Sequence, residues 1–275
     1  MASEISQTVR IGPSARIARR HKKRARIVGL QLATFAAFIF LWQLAAWLEL
    51  YRPIILKSPT QVWGALVDLV QSGVLQTDLS ATITATVMAL VLAAVVGVPL
   101  GLMLGLLPTT ERVAAPFIDA LNATPRVAFA PVFIIIFGLS MSAKVALAFS
   151  IAVFVLLVNS RAGVHNAEPE VLTLVRTMGA KKREVFFKVL LPAATPTIFA
   201  GLRLGLIYSL LGVVTSELIA SRDGMGQLIA QYSAAFQMDR VYAVILVLVV
   251  VASLLNWLMT LVERRLLRWR SDAND

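Results

Sequence analysis

Residues 164–192 read VHNAEPEVLTLVRTMGAKKREVFFKVLLP, a basic amphipathic loop set between long apolar runs. Asn166-Ala167-Glu168-Pro169 has the form of a helix start, with proline in the first turn and acids at the positive end of the dipole. Val171, Leu172, Leu174, Val175 and Met178 then recur at helical spacing. Gly179 interrupts this helix where a positive φ costs glycine little. Lys181-Lys182-Arg183-Glu184 opens a second amphipathic segment carrying Val185, Phe186 and Val189. Pro192 ends that segment or begins the next helix. The expectation is two short helices joined at a glycine corner, a shape that converts a push into rigid-body movement of the helices behind it.

Those neighbouring runs are long enough to cross a bilayer, which takes about 20 apolar residues and requires the backbone to satisfy its own hydrogen bonds. Six stretches qualify: residues 27–48, 79–110, 116–138, 143–160, 189–219 and 241–262. The first, second and last carry no charge, whereas the others include Arg126, Lys144, and Arg203 with Glu217. With 275 residues, 58% of them hydrophobic and 15% charged, and a mean hydropathy of +0.79, nearly the whole chain belongs in lipid. The organisation expected is all-α: a basic segment at 1–26, one transmembrane domain at 27–265 containing the loop at 164–192, and a tail at 266–275. The absence of cysteine excludes disulfides, thiolate chemistry and cysteine-based metal sites.

A net charge of +11 would suit nucleic acid if it were gathered on one soluble face, but its placement points elsewhere. Eight cations, from Arg10 to Arg26, precede the first span. With six crossings, 19 of the 26 lysines and arginines fall on the side of the 164–192 loop. By the positive-inside rule that side is cytoplasmic and holds both termini, with the N-terminal run on anionic headgroups. Nucleic acid is not an expected partner. Trp47-Leu48-Glu49 lacks the small residues of a signal-peptide cleavage site, so the first span should stay in the protein.

Gly97, Gly101 and Gly105 recur every four residues, as do Gly201 and Gly205, which marks faces for close helix approach, within one subunit rather than between subunits. Pro99 should bend its helix. Ser58-Pro59, followed by Val62, Leu66, Val67 and Val70 and closed by Gly73, predicts a capped amphipathic helix, either interfacial or facing an external partner.

The 164–192 loop resembles that of binding-protein-dependent ABC importer permeases, whose pattern is Glu-Ala-Ala, three residues, Gly, nine residues, Ile, one residue, Leu-Pro. Gly179, Leu191 and Pro192 match, Val189 stands for Ile, and Thr173-Leu174-Val175 depart from Glu-Ala-Ala. The likeness runs from Leu79 to Trp269. It includes Ala120-Leu121-Asn122-Ala123-Thr124-Pro125-Arg126, Gly201-Leu202-Arg203-Leu204-Gly205, Glu217 with Gly224-Met225-Gly226, and Glu263-Arg264-Arg265-Leu266-Leu267-Arg268-Trp269. The first of these resembles the third span of such permeases, and the other three resemble the nitrate, sulfonate and taurine branch.

The resemblance implies a type I ABC importer permease fold of six transmembrane helices in a bacterial inner membrane. It further implies a homodimer working with two ABC ATPase subunits and an external solute-binding protein. The coupling loop would comprise Thr173, Leu174, Val175, Met178, Gly179, Ala180, Lys181, Lys182, Val189, Leu191 and Pro192. No Gly-x4-Gly-Lys-Ser/Thr occurs, so ATP and Mg are expected in the partner ATPase and no cofactor in this chain. Gly224-Met225-Gly226 reads as a turn outside the membrane rather than a dinucleotide site.

Arginine within a span costs several kcal/mol by about the smallest estimates and either faces a cavity or snorkels to an interface. Both roles stay open for Arg126 and Arg203; lining a path, they favour anionic cargo. Asn122, Tyr208, Ser209 and Glu217 are further candidates for the pathway. Glu217 sits near the outer boundary of the fifth span, where gating, pairing and exposure are all open. An intramembrane enzyme lacks its acid-base groups, since the two histidines, His21 and His165, lie in basic segments. The alternative function is a secondary transporter driven by an ion gradient, although neither internal repeats nor midplane acids are evident.

Overall fold

The computed structural model describes the backbone of residues 13–267 and the side chains of residues 26–267; Arg10, Arg268, Trp269 and Arg270 lie outside the described residues. Every regular element among them is helical: α1 Pro13–Trp47, α2 Pro59–Gln71, α3 Val74–Leu106, α4 Pro108–Ala123, α5 Ala130–Phe137, α6 Met141–His165, α7 Pro169–Thr177, α8 Lys182–Val185, α9 Leu191–Ile219, α10 Met225–Ala234 and α11 Met238–Leu266. A 3₁₀ turn, Arg126–Phe129, precedes α5, and a π turn, Phe186–Leu190, joins α8 to α9.

The chain divides into two compact units, one ending at Trp63 and the other beginning at Gly64. In the first, the Trp42 indole donates to the Lys57 carbonyl at 2.9 Å. The expected cap of α2 is a reciprocal one: Ser58 Oγ accepts from the Gln61 amide at 3.3 Å and Gln61 Oε1 accepts from the Ser58 amide at 3.0 Å.

The second unit is organised around α3, α6 and α9. Hydrocarbon gives helices no hydrophobic incentive to associate, so close packing of small residues must hold them. Ala85, Ala89 and Ala93 of α3, Ala148 and Ala152 of α6 and Ala194 of α9 are wholly buried. The glycines allow closer approach still. A Cβ on Gly97 would lie 2.6 Å from the Val153 carbonyl oxygen, one on Gly105 would lie 2.8 Å from Val164 Cβ, and one on Gly212 would lie 2.7 Å from Ala148 Cα. A Cβ on Gly201 would lie 2.7 Å from Asn159 Cβ, and together these neighbours show α3 running parallel to α6 and α9 antiparallel to both. The glycine faces are therefore seams within one subunit; the spacing marked them as contact faces, and their neighbours in this chain supply the partner.

Five helices are long and apolar enough to span a membrane: Arg26–Trp47, Val74–Leu106, Met141–His165, Lys182–Ile219 and Met238–Leu266. The sixth stretch departs from a simple span. It is a pair of limbs, Pro108–Ala123 and Arg126–Phe137, bent by 75°. Pro125 explains the break: proline disfavours the helical conformation of the residue before it, and Thr124 is extended with ψ 131°. Because α3 and α6 run parallel, the bent pair has to return the chain across the membrane between them.

One expected boundary also moves. The run at 79–110 is cut at Leu107, with Pro108 opening α4. Of the two roles left open for Pro192, it begins the next helix: α8 continues through the π turn into α9 with Pro192 in its first turn. The wider turn just before it accommodates a residue that has no N–H to donate.

Candidate functional site

The loop forms the predicted corner. Gly179 has φ +83°, its amide bonds to the Arg176 carbonyl at 3.0 Å, and the Ala180 amide reaches back to the Val175 carbonyl at 3.2 Å. This is a Schellman closure, in which glycine avoids the left-handed penalty of a side chain. On the other side of the corner, Glu184 Oε2 accepts from the Lys181 amide at 3.0 Å and Oε1 pairs with Lys188 at 3.3 Å. Val164, Ala167, Val185 and Leu190 form a small core beneath the loop, with Leu102, Leu172, Val175, Ala180 and Phe186 packed around it.

That packing sorts the loop residues. Val175 and Ala180 turn inward and hold the corner against α3 and α6, and Val189 and Leu191 are half-buried. Leu174 and Met178 stay 60% and 77% exposed, and with Val171 they line a free apolar face of α7. Lys181, Lys182 and Pro192 are exposed as well. Thr173, at the position where the resemblance leads one to expect an acid, spends its hydroxyl on the Pro169 carbonyl one turn back, at 2.9 Å.

The two intramembrane arginines have different surroundings. Arg203 of α9 forms an ion pair with Glu263 of α11. Arg126 sits at the elbow between α4 and α5, with its guanidinium 4.0 Å from the centre of the Phe154 ring. It donates to the Leu121 carbonyl at 2.9 Å and the Ile151 carbonyl at 3.4 Å. No carboxylate among the described residues pairs with it. Asn122 and Tyr208 are exposed, whereas Ser209 is fully buried and lines no open surface of this chain.

Glu217 is only 1% exposed, so of the three roles left open for it the structure displays pairing. Its Oε1 accepts from Lys144 Nζ at 3.2 Å, Thr82 Oγ1 lies 3.0 Å from both carboxylate oxygens, and the Gly226 amide donates to Oε2 at 3.0 Å. Lys144 also bonds to the Asp223 carbonyl at 2.8 Å and pairs with the Asp223 carboxylate. Asp78 Oδ1 accepts from the Gly224 amide at 2.5 Å, and Thr82 Oγ1 accepts from the Met225 amide at 2.9 Å. Gly224 has φ +108°, and Glu217 occupies the space a side chain there would need.

The result is a buried clasp. It ties the turn between α9 and α10 to the starts of α3 and α6, at the end of the helices opposite the loop. Glu217 and the glycine turn stand out in the sequence and Lys144 lies at the edge of the fourth apolar stretch, whereas Asp78, Thr82 and Asp223 were not singled out there. The available signal was positional: Asp78 and Lys144 each lie within the first turn or so of a long apolar helix. Among the described residues no group of three or more His, Cys, Asp or Glu side chains is arranged to hold a metal ion.

Residues 97–268 match the family model described as the binding-protein-dependent transport system inner membrane component. The chain is 30% identical to a putative aliphatic sulfonates transport permease of Bacillus subtilis, with 86% of each chain covered. It is 33% identical to a riboflavin transport system permease of Chloroflexus aurantiacus, covering 95% of this chain and 97% of that one. Against a taurine transport system permease of Escherichia coli the identity is 31%, covering 90% and 92%. Among solved structures, an inward-facing MetNI methionine ABC transporter chain aligns with TM-score 0.60 at 18% identity, covering 72% of this chain and 96% of that one. An amino acid ABC transporter chain aligns with TM-score 0.57 at 17% identity, covering 74% and 97%. These likenesses set aside the ion-driven secondary transporter. An all-helical membrane chain with a helical corner between its α6 and α9 spans, matched over most of its length, belongs to the binding-protein-dependent transport system inner membrane components and is a permease subunit of an ABC importer.

Proposed function

We propose that two copies of this chain form the path for a small anionic solute of the sulfonate, taurine or nitrate kind. An external solute-binding protein delivers it, and two ATPase subunits that hold ATP and Mg drive its passage. The loop end and both termini lie in the cytoplasm, in keeping with the distribution of lysine and arginine. The exposed Val171, Leu174 and Met178 face of α7 is the contact for the ATPase, and the Gly179 corner carries its movement into α6 and α9.

The observation that carries the choice of cargo is Arg126. It is held by carbonyl oxygens and an aromatic ring at a break in a span, and no carboxylate among the described residues meets its charge. Discontinuous helices supply polar groups to transported solutes, and a guanidinium offers paired donors to an oxyanion. Arg203 is a poorer candidate because Glu263 already neutralises it. Two of the relatives named above are permeases for sulfonates or taurine, which agrees with this reading.

The test is uptake into proteoliposomes holding the permease, its ATPase and its binding protein. Taurine and an aliphatic sulfonate are compared with riboflavin. A charge-assisted hydrogen bond contributes about 1.5–3 kcal/mol, so Arg126→Gln should lower sulfonate uptake by about 10- to 100-fold, with partial recovery in Arg126→Lys. Riboflavin uptake with exclusion of sulfonates, or sulfonate uptake indifferent to Arg126→Gln, overturns the anionic assignment.

A further inference from the structure

Beneath the loop, a cavity of about 670 Å³ opens between the end of α3 and the inner side of the α7–α8 corner. Leu107, Val185, Phe186 and Leu190 supply its apolar wall, and Arg176 and Lys182 supply two cations. Neither cation has an acidic partner among the described residues. The acid nearest to Lys182 in sequence, Glu184, is engaged elsewhere, capping the Lys181 amide and pairing with Lys188. The cavity therefore joins unneutralised positive charge to an apolar wall, at the level where the apolar α3 helix ends.

We propose that this cavity is a binding site for an anionic phospholipid, with the phosphate between Arg176 and Lys182 and the first part of an acyl chain against Leu107 and Phe186. Basic pockets between membrane helices suit anionic headgroups, because the charge is complementary and the apolar wall accepts the chain. Helical geometry separates this site from the free face of α7. Arg176 lies one turn beyond Leu172, which packs into the core, whereas Leu174 and Met178 point the other way. A bound lipid would brace the corner from inside while leaving the outer face available to a protein partner.

Native mass spectrometry of the full chain, purified with its ATPase subunit, tests the assignment. Phosphatidylglycerol and phosphatidylcholine of matched acyl chains are titrated separately, each with and without millimolar inorganic phosphate. At roughly the surface scale for two cations, phosphatidylglycerol should bind about thirtyfold more tightly than phosphatidylcholine. Arg176→Gln with Lys182→Gln should bring the two within about threefold of one another, and Arg176→Glu with Lys182→Glu should remove the phosphatidylglycerol adduct; Lys188→Gln should leave the preference intact. All these side chains are exposed, so the variants should fold. Equal binding of the two lipids overturns the proposal, as does a preference unchanged in the double Gln variant. Displacement of the lipid by inorganic phosphate makes the pocket a free-anion site instead. Loss of the ATPase from the double variant with lipid binding unaltered assigns the pocket to the protein partner.

Discussion

Replacing Lys144 by methionine removes the ammonium from the clasp and keeps an unbranched side chain one atom shorter. Glu217, 1% exposed, would then be a buried carboxylate without a counter-charge, and breaking such a pair costs about 3–5 kcal/mol. Glu217 would keep the Gly226 amide and the Thr82 hydroxyl, both at 3.0 Å, so the loss should fall near the lower end, about 3 kcal/mol. Total stabilities run to about 5–15 kcal/mol, which makes this a large fraction. Glu217→Gln should be milder. Its amide oxygen still accepts from Gly226 or Thr82, and Lys144 still has the Asp223 carboxylate and carbonyl, so the loss is about 1–2 kcal/mol. Joined in one chain, the two substitutions leave no uncompensated charge at Glu217 and should cost less than their sum. Equilibrium unfolding in mixed micelles measures all four corners of this cycle. A Lys144→Met loss below about 1 kcal/mol, or strict additivity in the double variant, would refute the clasp as a stabilising, mutually dependent unit.

Gly179 has φ +83° with open space around the site of a Cβ, so Gly179→Ala should strain the corner by about 1–2 kcal/mol without a clash. Co-purification of the ATPase subunit should fall in Gly179→Ala, fall further in Gly179→Val, and recover in Gly179→Asn, since asparagine tolerates the left-handed conformation. At Gly97 the difficulty is contact: a new Cβ would meet the Val153 carbonyl oxygen at 2.6 Å, so Gly97→Ala should force α3 and α6 apart at a cost of about 1–3 kcal/mol. Thermal unfolding in detergent should show a lower midpoint for Gly97→Ala than for alanine placed at the open Gly64 site.

The sequence alone determines what depends on local chemistry and on period. Length and polarity of the apolar runs set the spans, because lipid admits no unsatisfied backbone. Glycine at 179 fixed the handedness of the loop corner, because residues with a Cβ are penalised there. Glycine spacing foretold a close helix seam, and Ser58-Pro59 foretold a cap. Each of these is decided within a few residues of chain.

Other features required the tertiary structure because they depend on residues far apart in sequence. Arg126 and Arg203 look alike as arginines within apolar runs; packing of α9 on α11 brings Glu263 to one, whereas the other meets, among the described residues, carbonyls and the Phe154 ring. Lys144, Asp78 and Glu217 carry no shared motif, and the parallel run of α3 beside α6 with α9 antiparallel to both brings them to one end. A buried charge is tolerable only where its partner is delivered by another helix, and that delivery is a property of packing, not of any local stretch of sequence.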